Sequence, residues 1–130
     1  MKNPPSLHVL IVDDEPLIRW SLAETLMDAG HTVAEAGDAK AAIQTLEDAQ
    51  RPFDVVLLDH RLPDSNDLNL LSTIRRMSPQ SAVIMMTAFG TPEVAEGALT
   101  LGVYRVVPKP FEIHDMVDLA LQAHASMHSA

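Results

Sequence analysis

Five polar residues in this sequence end or directly follow short apolar runs, and their types suit phosphoryl chemistry. They are Asp13, Asp14, Asp59, Thr87 and Lys109. If the runs are parallel strands of one α/β sheet, the five side chains meet in the crevice beyond the carboxyl ends of the strands, where such folds bind ligands. Three carboxylates, a hydroxyl and an ammonium group at one edge would suit a divalent cation and a phosphoryl group.

The three carboxylates are the part of this set that needs a counter-charge. Clustered carboxylates repel one another and raise each other's pKa, so a site containing Asp13, Asp14 and Asp59 is costly without a cation. Oxygen ligands favour Mg²⁺, which usually takes one or two carboxylates, several waters and a phosphate oxygen. The chain contains no cysteine, which excludes thiolate ligands and makes zinc a poor candidate.

Asp59 is the carboxylate best placed to react, because a buried strand would deliver it to the solvent boundary. It could attack a phosphoryl group and form an aspartyl phosphate. Lys109 could neutralise one phosphoryl oxygen as a point charge, and Thr87 could donate a hydrogen bond to another. Phosphoryl transfer needs mostly positioning and charge stabilisation, which these groups could supply.

Each of these residues also has an ordinary structural interpretation. An Asp-Asp pair can stabilise the N-terminus of a helix through the helix dipole. A threonine such as Thr87 can simply end a strand, and a lysine such as Lys109 can be a solvated surface charge. All five residues are predicted to lie at the same edge of a sheet. This common position favours a functional site over these separate explanations.

Strand and helix signals alternate along the whole chain and predict five β–α units. The predicted strands cover residues 7–12, 31–36, 53–58, 81–86 and 103–107. The segments between them have helical spacing, with Pro16 at the first helix start, Gly30 at its end and Asp38 as the N-cap of the second. Strands that alternate with helices predict a parallel sheet covered on both faces, joined by right-handed crossovers.

Length and composition favour one globular domain in the cytoplasm. The chain has 130 residues and a hydrophobic content of 47%, which suits a single folded domain. The net charge of −9 opposes direct nucleic-acid binding, and no apolar run approaches the ~18 residues of a membrane helix. We therefore expect one domain over residues 1–130, structured from about 7 to 125, that binds neither nucleic acid nor membrane.

Four motifs around these residues closely resemble the receiver domains of two-component response regulators. They read I-V-D-D-E-P, L-L-D-H-R-L-P-D, M-M-T-A and P-K-P-F, and their mutual spacing also agrees. The segments I-R-W-S-L-A-E-T-L and T-A-F-G-T-P-E are similar to receivers of the nitrogen-regulation, enhancer-binding type, which often precede an ATPase and a DNA-binding domain. The resemblance covers essentially the whole chain. It implies a flavodoxin-like (βα)5 fold with a five-stranded parallel sheet in the order 2-1-3-4-5.

The resemblance also implies an acceptor and a metal site. Asp59 would accept the phosphoryl group from the phosphohistidine of a sensor histidine kinase or a histidine phosphotransfer protein, in a Mg²⁺-dependent reaction. The implied ligands of Mg²⁺ are Asp13, Asp14, Asp59 and the backbone carbonyl of Arg61. Such a domain catalyses its own phosphorylation and slow dephosphorylation, and it is not a turnover enzyme.

A switch is implied in the same way. Thr87 and Lys109 would contact the phosphoryl oxygens, and the bond between Lys109 and Pro110 would be cis in a tight turn that aims the lysine. Phosphorylation would then bias a two-state surface made of the fourth helix, the fifth strand and the fifth helix. Two copies of the chain could pair through that surface as a homodimer.

Two positions depart from the family pattern. The switch position three residues before the lysine, commonly Tyr or Phe, is Val106. The nearest aromatic residue is Tyr104, which strand alternation would place on the same face as Val106. Asp67 stands where the family usually has Gly, so we expect altered geometry in that loop.

Two side chains near the acceptor are expected to prolong the life of an attached phosphoryl group. Arg61 lies two residues after Asp59, and Phe89 lies two residues after Thr87. In the family, these positions influence how water reaches the acyl phosphate. A long Arg61 and a bulky, apolar Phe89 would shield it.

Three other functions fit parts of the sequence. A receiver-like interaction module without a phosphorylation cycle is supported by Val106 and Asp67, but the complete acceptor set opposes it. A metal-dependent phosphatase that uses an aspartyl phosphate would have a second Asp where Arg61 stands. A flavin-binding domain would have a Ser/Thr/Gly-rich phosphate loop after the first strand, and none is present. We therefore predict a phosphorylatable receiver, with the interaction module as the alternative.

Overall fold

Five strands alternate with five helices in the computed structural model, which describes residues 6–65, 68–88 and 90–128. The strands are β1 His8–Val12, β2 Thr32–Ala36, β3 Val55–Asp59, β4 Ala82–Thr87 and β5 Arg105–Pro108. The helices are α1 Pro16–Asp28, α2 Ala39–Asp48, α3 Asn69–Met77, α4 Pro92–Thr100 and α5 Ile113–Met127. None of the described helices combines the length and the apolarity needed to cross a membrane.

The five strands form one parallel sheet in the order β2-β1-β3-β4-β5, which confirms the predicted topology. Every residue of β3 and β4 is buried, as expected for central strands covered on both faces. Val12 pairs with Leu58, and Leu58 pairs with Met85. This register brings the carboxyl ends of β1, β3 and β4 level with one another.

Two apolar clusters cover the two faces of the sheet. Alternate residues of the central strands, among them Ile11, Leu57 and Ile84, pack with α1 and α5. Their neighbours along each strand, such as Leu10 and Val56, pack with α2, α3 and α4. This alternation follows from the period of two in a strand. Continuous burial of this kind holds the strand ends, and therefore the residues at those ends, in fixed positions.

Strands β3 and β4 each extend one residue beyond their predicted ends. Asp59 pairs with Met86, and Thr87 pairs with Pro108, so both polar residues belong to the ladder. The fifth strand begins at Arg105, two residues later than predicted. Asp59 and Thr87 are therefore held by strand hydrogen bonding at their own positions, which limits how far their main chains can move.

Tyr104 does not share a face with Val106, so the expectation from strand alternation is wrong. Tyr104 packs with the cluster on the α1 and α5 side, whereas Val106 packs with the cluster on the α2, α3 and α4 side. The reason is that the β5 ladder begins at Arg105, and strict alternation applies only within a ladder. Tyr104 precedes the ladder, so its side chain can turn to the other face.

The predicted N-cap of α2 is confirmed, and α4 has a cap of the same kind. The Asp38 carboxylate accepts a hydrogen bond from the Ala41 N–H at 2.7 Å, which caps α2. The Thr91 hydroxyl accepts one from the Val94 N–H at 3.3 Å, which caps α4. Such caps satisfy N–H groups that have no partner inside the helix. A capping side chain therefore marks the start of each of these two helices.

Candidate functional site

The carboxyl ends of β1, β3, β4 and β5 bring the predicted set together at one edge of the sheet. Asp13 directly follows β1, Asp59 and Thr87 end β3 and β4, and Lys109 directly follows β5. The Lys109 N–H donates to the Thr87 carbonyl oxygen at 2.9 Å. The peptide bond between Lys109 and Pro110 is cis, as the resemblance implied.

The Lys109 ammonium group is the centre of the charge network. Its Nζ lies 3.0 Å from Asp13 Oδ2, 3.0 Å from Glu15 Oε1 and 3.3 Å from Asp59 Oδ2. Burial lowers the pKa of Lys109, but the contacts with Glu15 and Asp13 and the negative charges of Asp13 and Asp59 outweigh it and raise the pKa above its ordinary value. Lys109 therefore stays charged at neutral pH and is the fixed cation of the site.

Asp59 is only 6% exposed and has a strongly shifted pKa. Burial, helped by the negative charge of Asp13, raises the pKa of Asp59 to about 6, although Lys109 partly offsets the rise. The Arg61 N–H donates to Asp59 Oδ1 at 3.4 Å. Added positive charge beside Asp59 would favour its ionised form, which is the nucleophilic one.

Four carboxylates come close enough to share one cation. They are Asp13, Asp14, Glu15 and Asp59, whose ligand oxygens lie within 4.8 Å of one another. Asp13 and Asp59 are buried, and Asp14 and Glu15 are exposed. Asp13 Oδ2 is buried and finds no well-directed hydrogen bond among the described residues, although Lys109 Nζ lies 3.0 Å away. An all-oxygen donor set, in which this buried oxygen has an ion pair with Lys109 as its contact, fits Mg²⁺.

Glu15 is a site residue that sequence reasoning missed. Its carboxylate accepts a hydrogen bond from Lys109 Nζ at 3.0 Å, and it also belongs to the group that could hold a cation. The signal was present as the third acid of the D-D-E-P motif, directly before Pro16 begins α1. Local sequence patterns could not assign it to the site, because its partner Lys109 lies 94 positions away in the sequence.

Arg61 and Thr87 differ in their exposure near the acceptor. Arg61 is exposed and lines a cleft of about 230 Å³, together with Asp14, Glu15, Asp59, Ala88 and Lys109. Thr87 is only 2% exposed, and a Cβ at Gly90 would lie 3.0 Å from Thr87 Cγ2. Gly90, which the sequence reasoning did not single out, therefore leaves room for the Thr87 side chain.

The predicted modulating positions have different outcomes. Val106 is half-buried in the cluster on the α4 side of the sheet, and Pro110 is exposed beside Lys109. Asp67 and Phe89 lie outside the residues that the structure describes. The altered loop at Asp67 and the shielding by Phe89 therefore stay predictions.

Comparison with known proteins points to one family. A family model for the response regulator receiver domain matches residues 9–121. The response regulator protein PilR of Pseudomonas aeruginosa is 39% identical over 114 residues, which cover 88% of this chain and 25% of PilR. The DNA-binding transcriptional regulator NtrC of Escherichia coli is 36% identical over 115 residues, which cover 88% of this chain and 24% of NtrC. The chain thus spans about a quarter of the length of these relatives.

Solved structures show the same architecture. A CheY-like receiver domain protein of Methanospirillum hungatei superposes with a TM-score of 0.87 at 25% identity, covering 95% of this chain and 97% of that one. NtrX of Brucella abortus superposes with a TM-score of 0.84 at 33% identity, covering 95% of this chain and 28% of that one. The match to NtrX, together with those to PilR and NtrC, agrees with the predicted likeness to receivers of the nitrogen-regulation type.

Proposed function

Because the chain belongs to the response regulator receiver domain family, we propose that Asp59 accepts a phosphoryl group in a two-component phosphorelay. The observation that carries this proposal is the position of Asp59 at the end of β3, 3.3 Å from Lys109 Nζ and within the four-carboxylate group. In this proposal, residues 1–130 form one receiver domain, folded over about 7–125.

The proposed donor is the phosphohistidine of a sensor histidine kinase or a histidine phosphotransfer protein. An Asp59 carboxylate oxygen forms a bond to phosphorus while the phosphorus–nitrogen bond to the imidazole breaks. The imidazole nitrogen keeps the electron pair of that bond and takes up a proton. Lys109, which is held near the acceptor by its ion pairs, neutralises one phosphoryl oxygen, and the Thr87 hydroxyl donates to another.

Mg²⁺ is the cation that the donor set fits. Its proposed ligands are the carboxylates of Asp13, Asp14 and Asp59 and the backbone carbonyl of Arg61. When bound, Mg²⁺ supplies positive charge beside the oxygens of the transferring group. The Lys109 ammonium must exchange one of its carboxylate contacts for a phosphoryl oxygen, and Glu15 is the most exposed of those partners, with 55% of its side chain accessible.

Phosphorylation is proposed to act on the surface formed by α4, β5 and α5. The Thr87 carbonyl oxygen accepts a hydrogen bond from the Lys109 N–H. An inward movement of the Thr87 hydroxyl would therefore change the contacts where β4 meets β5. Val106 lies on β5 facing the α4 side, and a small side chain there would give a smaller packing change than an aromatic one. To shift the two-state population of this surface from 1:99 to 99:1 needs about 5.5 kcal/mol of differential stabilisation. Because a smaller packing change would supply less than this, we propose a graded response. We also propose that two copies of the chain pair through this surface.

Intact mass measured after incubation with Mg²⁺ and acetyl phosphate tests the acceptor. The wild type should gain about 80 Da, the mass of one phosphoryl group, and Asp59→Asn should not. Asp48→Asn, which changes an exposed carboxylate on α2, is the matched control and should gain the same mass as wild type. A folded wild type that gains no mass beside a working control receiver would favour the interaction module without a phosphorylation cycle.

We also propose that the chain is not a turnover phosphatase. An exposed arginine, Arg61, stands two residues after the acceptor, where an aspartyl-phosphate phosphatase would have its acid/base carboxylate. Incubation with p-nitrophenyl phosphate and Mg²⁺ should therefore release no more nitrophenol than buffer does. Sustained release that is lost in Asp59→Asn would contradict this part of the proposal.

A further inference from the structure

Arg19 connects three parts of the chain, namely α1 on which it lies, the acidic loop that follows β1, and strand β2. Its Nη1 donates to the Asp13 carbonyl oxygen at 2.7 Å, and its Nε donates to Glu35 Oε1 on β2 at 3.2 Å. The Asp13 N–H donates to the Ala36 carbonyl oxygen at 3.0 Å. The peptide groups on both sides of Asp13 are therefore held, one by β2 and the other by an arginine that β2 itself orients.

The Asp13 side chain leads from this held main chain into the site. Its Oδ1 accepts the Glu15 N–H at 2.9 Å, and its Oδ2 lies 3.0 Å from Lys109 Nζ. The hydrogen bond from Arg19 fixes the orientation of the Asp13 carbonyl group. It therefore also fixes the main-chain direction at the start of the loop that carries Asp14 and Glu15. Outer hydrogen bonds of this kind orient the groups that contact a metal, and their loss typically weakens metal binding 10- to 100-fold.

The guanidinium group of Arg19 occupies a closely fitted space. A Cβ added at Gly37 would lie 3.3 Å from Arg19 Nη1, so a side chain there would displace the guanidinium by a few tenths of an ångström. Only 24% of the Arg19 side chain is exposed. A lysine would keep the positive charge but could not donate to two separate acceptors in a fixed fork.

We propose that Arg19 is a positioning residue that sets the affinity of the acidic site for Mg²⁺. Arg19 acts through the Asp13 carbonyl, and Glu35 acts by orienting Arg19. Neither Arg19 nor Glu35 is one of the four acidic residues that could hold the cation. The inference rests on the proposed function for the identity of the cation, and its test uses Mg²⁺ binding rather than phosphoryl transfer.

The experiment compares Arg19→Lys and Gly37→Ala with a matched control, Arg51→Lys. Arg51 also hydrogen-bonds to β2, through Nη2 to Thr32 Oγ1 at 2.6 Å, but at the opposite end of the strand. Calorimetric titration with Mg²⁺ measures Kd, and NMR measures the exchange rate of the Glu15 amide proton. We expect about 10-fold weaker Mg²⁺ binding and faster Glu15 exchange in Arg19→Lys, a smaller change in Gly37→Ala, and wild-type values in Arg51→Lys.

A further readout separates positioning from a general structural role. At saturating Mg²⁺, Arg19→Lys should recover the wild-type rate of mass gain from acetyl phosphate, because the arginine touches no reacting group. An unchanged Mg²⁺ Kd in Arg19→Lys would overturn the inference, and so would equal weakening in Arg51→Lys. A different result separates the two proposals. If Arg19→Lys binds Mg²⁺ more weakly than wild type as predicted, but wild type gains no phosphoryl mass, the proposed function fails and the positioning role stands.

Discussion

Asp59 shows how burial and charge compete in a single residue. It is nearly inaccessible and faces the Asp13 carboxylate, so its pKa rises to about 6. In the unfolded chain, the same group titrates near 3.9. Between these two values the folded state binds more protons than the unfolded state, so the Asp59 contribution makes stability fall as the pH rises through that window. Above about pH 6, the ionised carboxylate is a constant cost to folding.

Asp59→Asn is therefore expected to stabilise the metal-free protein at pH 7.5. The expected gain in the free energy of unfolding is about 2 kcal/mol, and it should shrink as the pH is lowered from 6 to 4. Urea denaturation in EDTA measures it at each pH. Asp48→Asn should stay within about 0.5 kcal/mol of wild type, and an Asp59→Asn variant with no gain at pH 7.5 would count against the buried, ionised carboxylate.

Lys109 balances a carboxylate that has no access to solvent. Asp13 is 0% exposed, and its Oδ2 lies 3.0 Å from Lys109 Nζ. Lys109→Gln would leave the buried charge without its cation, and we expect a loss of about 3 kcal/mol in metal-free buffer. Adding Asp13→Asn should recover at least about 1 kcal/mol of this loss. Strict additivity of the two substitutions in denaturation experiments would show that the pair does not interact.

At the scale of elements, α3 is tied to the end of α4 by one arginine. Arg75 Nε donates to the Leu101 carbonyl oxygen at 3.2 Å, and Nη1 donates to the Ser81 carbonyl oxygen at 3.0 Å. Gly102 follows Leu101 with a φ of +96°, which favours glycine. The guanidinium thus joins the start of β4 to the turn that leads into β5, on the surface where the switch is proposed.

Gly102→Ala should destabilise the protein more than Gly30→Ala. Both glycines have nearly the same φ, +96° and +95°, so the backbone strain of about 1 kcal/mol is common to them. A Cβ at Gly102 would lie 3.2 Å from the Arg75 guanidinium, whereas nothing lies within 4 Å of one at Gly30. We expect an additional loss of about 1 kcal/mol at Gly102, measured by urea denaturation. Equal losses would mean that Arg75 moves aside freely.

The loop after β3 is joined to the start of α2 by Asp64. Its carboxylate accepts the Ala39 and Lys40 N–H groups at 2.7 and 3.1 Å, and these hydrogen bonds lower the pKa of Asp64 below its ordinary value. The stabilisation is therefore present above the ordinary pKa and is lost as the pH falls below it. In an NMR titration, the midpoint of the Asp64 carboxyl group should lie below the ordinary value for an aspartate. A midpoint at the ordinary value would exclude these hydrogen bonds in solution.

At the scale of the whole molecule, the fold brings four acidic residues together at one edge of the sheet. The chain as a whole already carries a net charge of −9. A ligand that binds only the folded state adds RT ln(1 + [L]/Kd) to stability. Mg²⁺ at 100 times its Kd should therefore add about 2.7 kcal/mol and raise the melting temperature. NaCl at the same ionic strength is the control for general screening, and Asp13→Asn should lose most of the gain. An equal effect of the two salts would exclude specific binding.

The alternation of strands and helices, the parallel sheet and the five strand-end residues were all predictable from the sequence. These features depend on short-range signals, since apolar runs, turn residues and caps such as Asp38 act within a few positions of one another. The order of the strands came from the resemblance, and the structure confirms it. Alternation failed at Tyr104, where the ladder had not yet begun.

What only the tertiary structure decided depends on contacts between distant segments. The ion pair of Glu15 with Lys109 joins residues 94 positions apart, and no local pattern specifies that distance. The pKa of Asp59 depends on its burial between neighbouring strands and on the separation of Asp13 and Lys109 from it. The role of Arg19 depends on β2 lying beside β1. The sequence by itself determined which groups reach the sheet edge, and the packing of the strands determined which of them touch, because distance and burial set the strength of a charge interaction.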